Sequence, residues 1–175
     1  MTQDQFWEVI AVADQMSDSE EIIEAVRGRL ENFTAQELID YQNHFNLYVD
    51  KAYLWDLWGA IYLMNGGCGD DSFTDFRYSL ISRGREVYEK ALSNPDSLAE
   101  MEFEDLDDIY DELFNEGFGY IAIELYEEKT DKDIYDSIDN NPYGKDEQMG
   151  EEWDFDNREE CIKRLPKLTE RFFEE

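Results

Sequence analysis

Basic side chains are scarce. The 175 residues hold 15 lysines and arginines against 45 aspartates and glutamates, a formal charge of −30. A small domain ordinarily carries roughly 2–8 net charges. So acidic a surface repels phosphate backbones and anionic lipid, which argues against nucleic-acid and membrane-surface partners. Histidine occurs once, as His44, so no Cys/His set for zinc exists and at most one histidine-based catalytic group is available. The two cysteines, Cys68 and Cys161, allow one bridge and no disulfide framework. No apolar run approaches the roughly 20 residues a membrane span needs. The opening MTQDQFWEVI lacks the basic and apolar regions of a signal peptide. The expected compartment is therefore the reducing cytoplasm, with both cysteines free thiols. P-loop, G-x-G-x-x-G, G-x-S-x-G and H-E-x-x-H patterns are all missing, so no cofactor or metal is expected.

What is present is a core. Hydrophobic residues make up 42% of the chain and aromatics 15%, enough to fold despite the charge. Their spacing is helical. Phe6, Val9, Ile10 and Ala13 share one face behind a capping box of Thr2 and Gln5. Ser17 with Glu20 and Thr34 with Glu37 form two more such patterns. From Leu38 the seam runs Tyr41, Phe45, Tyr48, Ala52, Trp55, Gly59 and Tyr62, in steps of three and four. This predicts a long central helix over 35–64, or two helices kinked near Val49-Asp50. Gly66 and Gly67 end it, and Asp71 or Ser72 caps the next helix, which closes at Gly84. A short helix stops before Pro95, Ser97 with Glu100 caps a further turn, and residues 103–128 are predicted helical, bent or split at Gly117 and Gly119. A last helix, Arg158 to Phe173, must restart at Pro166. No stretch alternates long enough for a strand. The expected fold is all-α, six or seven helices round a long central one. Residues 1–128 form the helical domain, and 129–175 an acidic irregular segment with a C-terminal helix packed on it.

Charge is unevenly spread. Residues 96–160 hold 25 acidic and 4 basic side chains. Asp107, Asp108 and Asp111 spell D-D-x-x-D, read here as the solvated face of an acidic helix. Asp131, Asp133 and Asp136 fail the calcium-loop pattern, because Tyr135 and Asp136 occupy its fifth and sixth positions.

Identity is concentrated in residues 52–100, which contain W-D-L-W-G-A-x-Y-L, G-G-C-x-D-D-x-F, F-R, L-I-S-x-G-R and P-D-S-L-A. This series, with F-W-x-x-I at Phe6–Ile10, resembles a bacterial family known only as a domain of unknown function. The resemblance covers roughly residues 4–128. It implies a small helical domain and brings no activity, cofactor or ligand.

The candidate site is drawn from the same stretch. Asp56 lies between Trp55 and Leu57 in an apolar helix and needs a partner, since an unpaired buried charge costs several kcal/mol. Arg77, Arg83 and Arg85 are the nearest cations in sequence. Three readings stand. In a structural polar lock, Asp56 with Asp70 or Asp71 holds Arg83 and Arg85. In a ligand pocket, Trp55, Trp58 and Tyr62 form walls and the arginines face an anion. In the third, a carboxylate does general acid–base work. Cys68, after two glycines, reads as a small buried residue before a nucleophile.

Together these point to binding before catalysis, as an acidic interaction or regulatory domain, immunity-like among its forms. The expected partner is a protein with a basic surface. The tail aromatics Tyr135, Tyr143, Trp153 and Phe155, set among carboxylates, read as a contact surface or a segment wrapping the domain. The alternative is a small-ligand or anion-binding module, or an enzyme, using the Trp55–Arg85 region.

Overall fold

Side-chain caps set the first helix starts. A computed structural model describes residues 1–14, 16–103, 113–139 and 149–173. The Thr2 hydroxyl accepts the Gln5 N–H at 3.2 Å, and the Gln5 side chain accepts the Thr2 N–H at 2.8 Å. Helix α1 (Gln3–Ile10) follows. Helix α2 (Ser19–Leu30) starts one residue later than Ser17 and Glu20 suggest, because Asp18 is the residue that caps the Glu21 N–H. Thr34 and Glu37 form the expected box before α3 (Ala35–Lys51).

Of the two forms predicted for the central seam, the structure takes the two-helix one, with the break a few residues beyond Val49-Asp50. The chain turns extended at Leu54 and restarts as α4 (Trp55–Asn65), which closes on Gly66 in the left-handed region at φ +66°. The break is sealed from α5 (Asp70–Ser82). Beyond Lys51 the helical ladder lapses: the Tyr53 N–H turns to the Asp50 carbonyl, leaving the Val49 carbonyl without its regular partner. The Arg77 guanidinium takes that carbonyl at 3.1 Å. It also donates to the Phe73 carbonyl and the Thr74 hydroxyl, and lies 4.6 Å from the Tyr53 ring centroid and 5.0 Å from that of Phe73. A cation at a helix C-terminus meets the negative end of the dipole. Nearby Asp50 and Asp70 favour its charge, although burial draws its pKa below the ordinary arginine range.

Helix α6 (Arg85–Ser93) follows Gly84, and a 3₁₀ turn occupies Pro95–Glu100. The split expected at Gly117 and Gly119 is present: the chain makes a 3₁₀ turn at Glu116–Tyr120 and then α7 (Ile121–Thr130). Gly119 takes the Tyr78 ring so closely that a Cβ there would lie 2.4 Å from it. A short turn at Ile134–Asp136 precedes the last helices, α8 (Arg158–Arg164) and α9 (Pro166–Phe172), which part at Pro166 as predicted. The described residues contain no strand, so the fold is all-α. Among them no helix is long and apolar enough to cross a membrane.

One core runs through these elements. Phe6 and Trp7 of α1 pack on Tyr41 and Tyr48 of α3 and Tyr88 of α6, with ring centroids 4.7–5.5 Å apart. α7 lies along α3, and α9 lies against α4 and the Pro95–Glu100 turn. Leu165 and Leu168 enter the same core. Asp96, only 6% exposed, accepts the backbone N–H groups of Lys167 and Leu168 and so caps α9 from 70 residues upstream. Glu100 binds both Lys90 and Lys167, which hold its carboxyl down to about 2.

Arg77→Ala removes a charged donor from the Val49 carbonyl and leaves that acceptor buried. Hydrogen bonds from charged groups contribute roughly 1.5–3 kcal/mol each, so urea denaturation should show a loss of about 3 kcal/mol or more. Arg77→Lys should recover only part of it, since an ammonium cannot reproduce the guanidinium fork.

Candidate functional site

α4 is apolar on nearly every side. Leu57, Ala60, Ile61 and Met64 face the core. Trp55, Trp58, Gly59 and Tyr62, at helical spacings of three and four, form the other face. Trp55 stacks on Trp58 at 5.5 Å and Trp58 on Phe73 at 4.9 Å. These are the walls of the expected pocket, and the chain's own residues 149–157 fill it. The Met149 carbonyl accepts the free N–H of Trp55 at the start of α4, at 2.8 Å. The Trp153 indole lies over Gly59, where a Cβ would sit 2.3 Å from the ring. Phe155 contacts Trp55, Trp58 and Tyr62 at 5.7, 6.2 and 5.3 Å. The Tyr62 hydroxyl donates to Asp156 at 2.9 Å.

Asp56 has partners, but not the expected ones. It accepts the Trp153 indole N–H at 2.9 Å and Arg164 at 3.2 Å. Its side chain is 48% exposed, at the first turn of α4 and so on the rim of the apolar face. Arg164 also binds Glu151 and Glu160 and lies 5.5 Å from the Trp153 centroid. Glu151 first, then Glu160 and Asp56, raise its pKa above the ordinary arginine range.

The lock with Arg83 and Arg85 is therefore corrected. Arg85, 46% exposed, pairs with Asp4 at 2.8 Å and Glu89 at 2.6 Å. Arg83 and Arg85 flank Gly84, whose φ of +88° turns the chain from α5 into α6. That turn carries them to a cavity of about 620 Å³ beside Trp7. Asp4, Glu8, Asp14 and Glu86 line the same cavity, so its carboxylates outnumber its arginines two to one. Proximity in sequence is not proximity in space here: a cation 108 residues away takes the Asp56 contact.

The other candidates are structural neighbours. Asp70 accepts the Tyr53 hydroxyl at 3.0 Å. It and Asp71 open α5, but the capping position is Gly69 and neither side chain forms the cap. The Cys68 carbonyl accepts the Trp58 indole N–H at 2.9 Å. Burial, helped by the Asp75 carboxylate, pushes the Cys68 thiol up to about 12, so it is not a thiolate at neutral pH. Cys161 is buried and free. Among the described residues no three His, Cys, Asp or Glu side chains are grouped to hold a metal ion. The D-D-x-x-D stretch and Tyr143 lie outside the described residues.

Sequence reasoning passed over Asp75, Asp96 and Arg164. Pro166 was a signal for Asp96: a helix starting there needs an acceptor, and the preceding Leu165 has none. Asp75 is half-buried and its carboxyl is raised, by desolvation first and then by Glu116 and Asp71.

The family model described as "Protein of unknown function (DUF4240)" matches residues 1–128. The chain belongs to this family. No match was found among curated proteins or among solved structures. Trp55, Asp56, Gly59 and Asp96 lie inside the matched region, whereas Met149, Trp153, Arg164 and the start of α9 lie outside it.

Gly59→Ala should cost about 1–3 kcal/mol, the range for overpacking. That outcome reverses the gain of up to about 1 kcal/mol that alanine gives in an open helix. Denaturation midpoints should show the loss, and pairing with Trp153→Leu should recover part of it.

Asp75 carries the opposite sign. Its raised pKa means that the native state holds this proton more tightly than the unfolded state. Its stabilising contribution is complete below the ordinary carboxylate pKa and is lost as pH rises through the raised value. Asp75→Asn should therefore raise the melting temperature at pH 7, with the advantage fading towards pH 3.

Proposed function

We propose that this chain is an acidic protein-binding domain, regulatory or immunity-like, whose partner is a cytoplasmic protein with a basic surface. The supporting observation is how its few cations are used. Arg27 pairs with Glu124 and Glu128, Arg85 with Asp4 and Glu89, Arg164 with three carboxylates, and Lys90 and Lys167 with Glu100. These cations join separate elements, while carboxylates outnumber basic side chains three to one. The aromatic face of α4 is already covered by Trp153 and Phe155, which leaves charge as the principal feature open to a partner. Nucleic acid and anionic membrane are disfavoured by the same charge.

The ligand-module alternative has the 620 Å³ cavity beside Arg83 and Arg85 in its favour. The four carboxylates around it oppose an anionic ligand, and that weighs towards the protein-binding reading.

The test is a pull-down from native lysate at low salt, then association kinetics with the captured partner. Charge-steered encounter predicts an on-rate that falls about tenfold or more from low to physiological salt. A thermal-shift screen of phosphorylated, nucleotide and carboxylate ligands runs beside it. A salt-independent on-rate together with a clear upshift by one ligand would favour the alternative.

A further inference from the structure

Among the described residues few large apolar or aromatic side chains remain exposed, and two of the most exposed are tyrosines in one region. Tyr120 is 42% exposed and Tyr135 is 55% exposed. Tyr120 and Asp133 lie near enough to help burial raise the Tyr135 phenol, and Tyr78 feels both tyrosines. Beside Tyr135 is a cavity of about 220 Å³ at the C-terminal end of α7. Ile123 and Ile134 give it apolar lining, Glu127, Asp131 and Asp133 give it carboxylates, and Lys132 is its single cation.

We propose that this cavity is where the basic partner docks, by inserting an arginine side chain against Tyr135. The proposal rests on the protein-binding reading above and gives it a location. Size is the first argument. Pockets for drug-sized ligands measure roughly 300–1,000 Å³, so this one suits a single side chain. Charge is the second. Three carboxylates against Lys132 leave a net deficit of two positive charges; Asp133 engages one oxygen with the Tyr135 N–H at 2.8 Å, and no described ion pair involves Glu127, Asp131 or Asp133.

Helix direction is the third argument. α7 is closed by Asp131 just past its last residue, in the left-handed region at φ +56°, and the negative end of the helix dipole lies there. Chemistry is the fourth. A guanidinium stacks on a tyrosine ring and forks onto carboxylates, while its aliphatic stem covers isoleucine. Lysine offers only a compact point charge. A second copy of this chain is a poor occupant, since two bodies of −30 repel.

The test uses the full chain and two probes, nona-arginine and nona-lysine peptides, titrated calorimetrically at low salt. Nona-arginine should bind several-fold more tightly than nona-lysine. Tyr135→Ala should weaken nona-arginine about tenfold and close the gap between the peptides. Glu127→Gln with Asp131→Asn should weaken it similarly, asparagine being tolerant of the left-handed region. The control is Glu8→Gln with Glu86→Gln, which removes two charges at the larger cavity and should have a smaller effect. Circular dichroism confirms that each variant is folded.

If both double variants weaken binding equally and Tyr135→Ala changes nothing, the cavity assignment is overturned while the basic-partner reading survives. Calcium that displaces nona-arginine from the wild type but not from the Glu127/Asp131 variant would give the cavity to a metal ion instead. If neither peptide binds at low salt, both readings fall together.

Discussion

The placement of α4 depends on one buried guanidinium. Arg77 meets the Val49 carbonyl where the long apolar seam stops being one helix. A helix carried on to residue 64 would have kept its aromatic stripe in register with Tyr41, Phe45 and Tyr48. The break at 52–54 lets α4 change direction. Leu57, Ala60 and Ile61 stay in the core, while Trp55, Trp58, Gly59 and Tyr62 are free to face residues 149–157. Tyr88 reinforces the corner, donating its hydroxyl to the Tyr48 carbonyl at 2.6 Å. An arginine so deeply placed costs desolvation. Its hydrogen bonds, two aromatic faces and the nearby Asp50 and Asp70 charges oppose that cost.

The corner in turn positions the C-terminal segment. Three contacts of different kinds secure it: shape at Gly59, hydrogen bonding at Asp56, and helix capping at Asp96. Each belongs to a motif in the stretch 52–100, and each is completed by residues beyond 128. Asp56, Gly59 and Asp96 thus have structural roles that their own neighbourhoods in the sequence do not disclose. An aspartate inside an aromatic run reads as a site residue until the indole and guanidinium it serves are known.

This separates what was legible from what was not. Local rules read well: the boxes at Thr2 and Thr34, the glycine stop after Asn65, the restart at Pro166 and the absence of strands among the described residues all follow from short-range geometry. Periodicity gives the seam of α3 and leaves open whether it breaks near Val49-Asp50; the break comes a few residues later, at 52–54. A three-four repeat continues through a break whenever both helices bury the same kind of face. Pairing failed for the same reason. Arg83 and Arg85 are among the cations nearest Asp56 in sequence, yet the turn at Gly84 aims them at α1 and the larger cavity. Fifteen cations among 45 carboxylates allow many pairings, and only topology selects among them.

That selection explains how so acidic a chain keeps one shape. The paired cations sit at seams: Arg27 between α2 and α7, Arg85 between α1 and α6, Arg164 between α4 and residues 149–157, Lys90 and Lys167 on either side of Glu100. An exposed pair alone contributes only about 0–1 kcal/mol, so these joints do not hold the fold by strength. Their effect is placement. Negative elements meet where a positive side chain stands between them, and the apolar core, with its buried aromatics, supplies the cohesion. With those cations engaged at joints, the field of the remaining carboxylates stays largely uncancelled outside. The basic partner proposed above would meet the same distribution of charge that lets the helices pack.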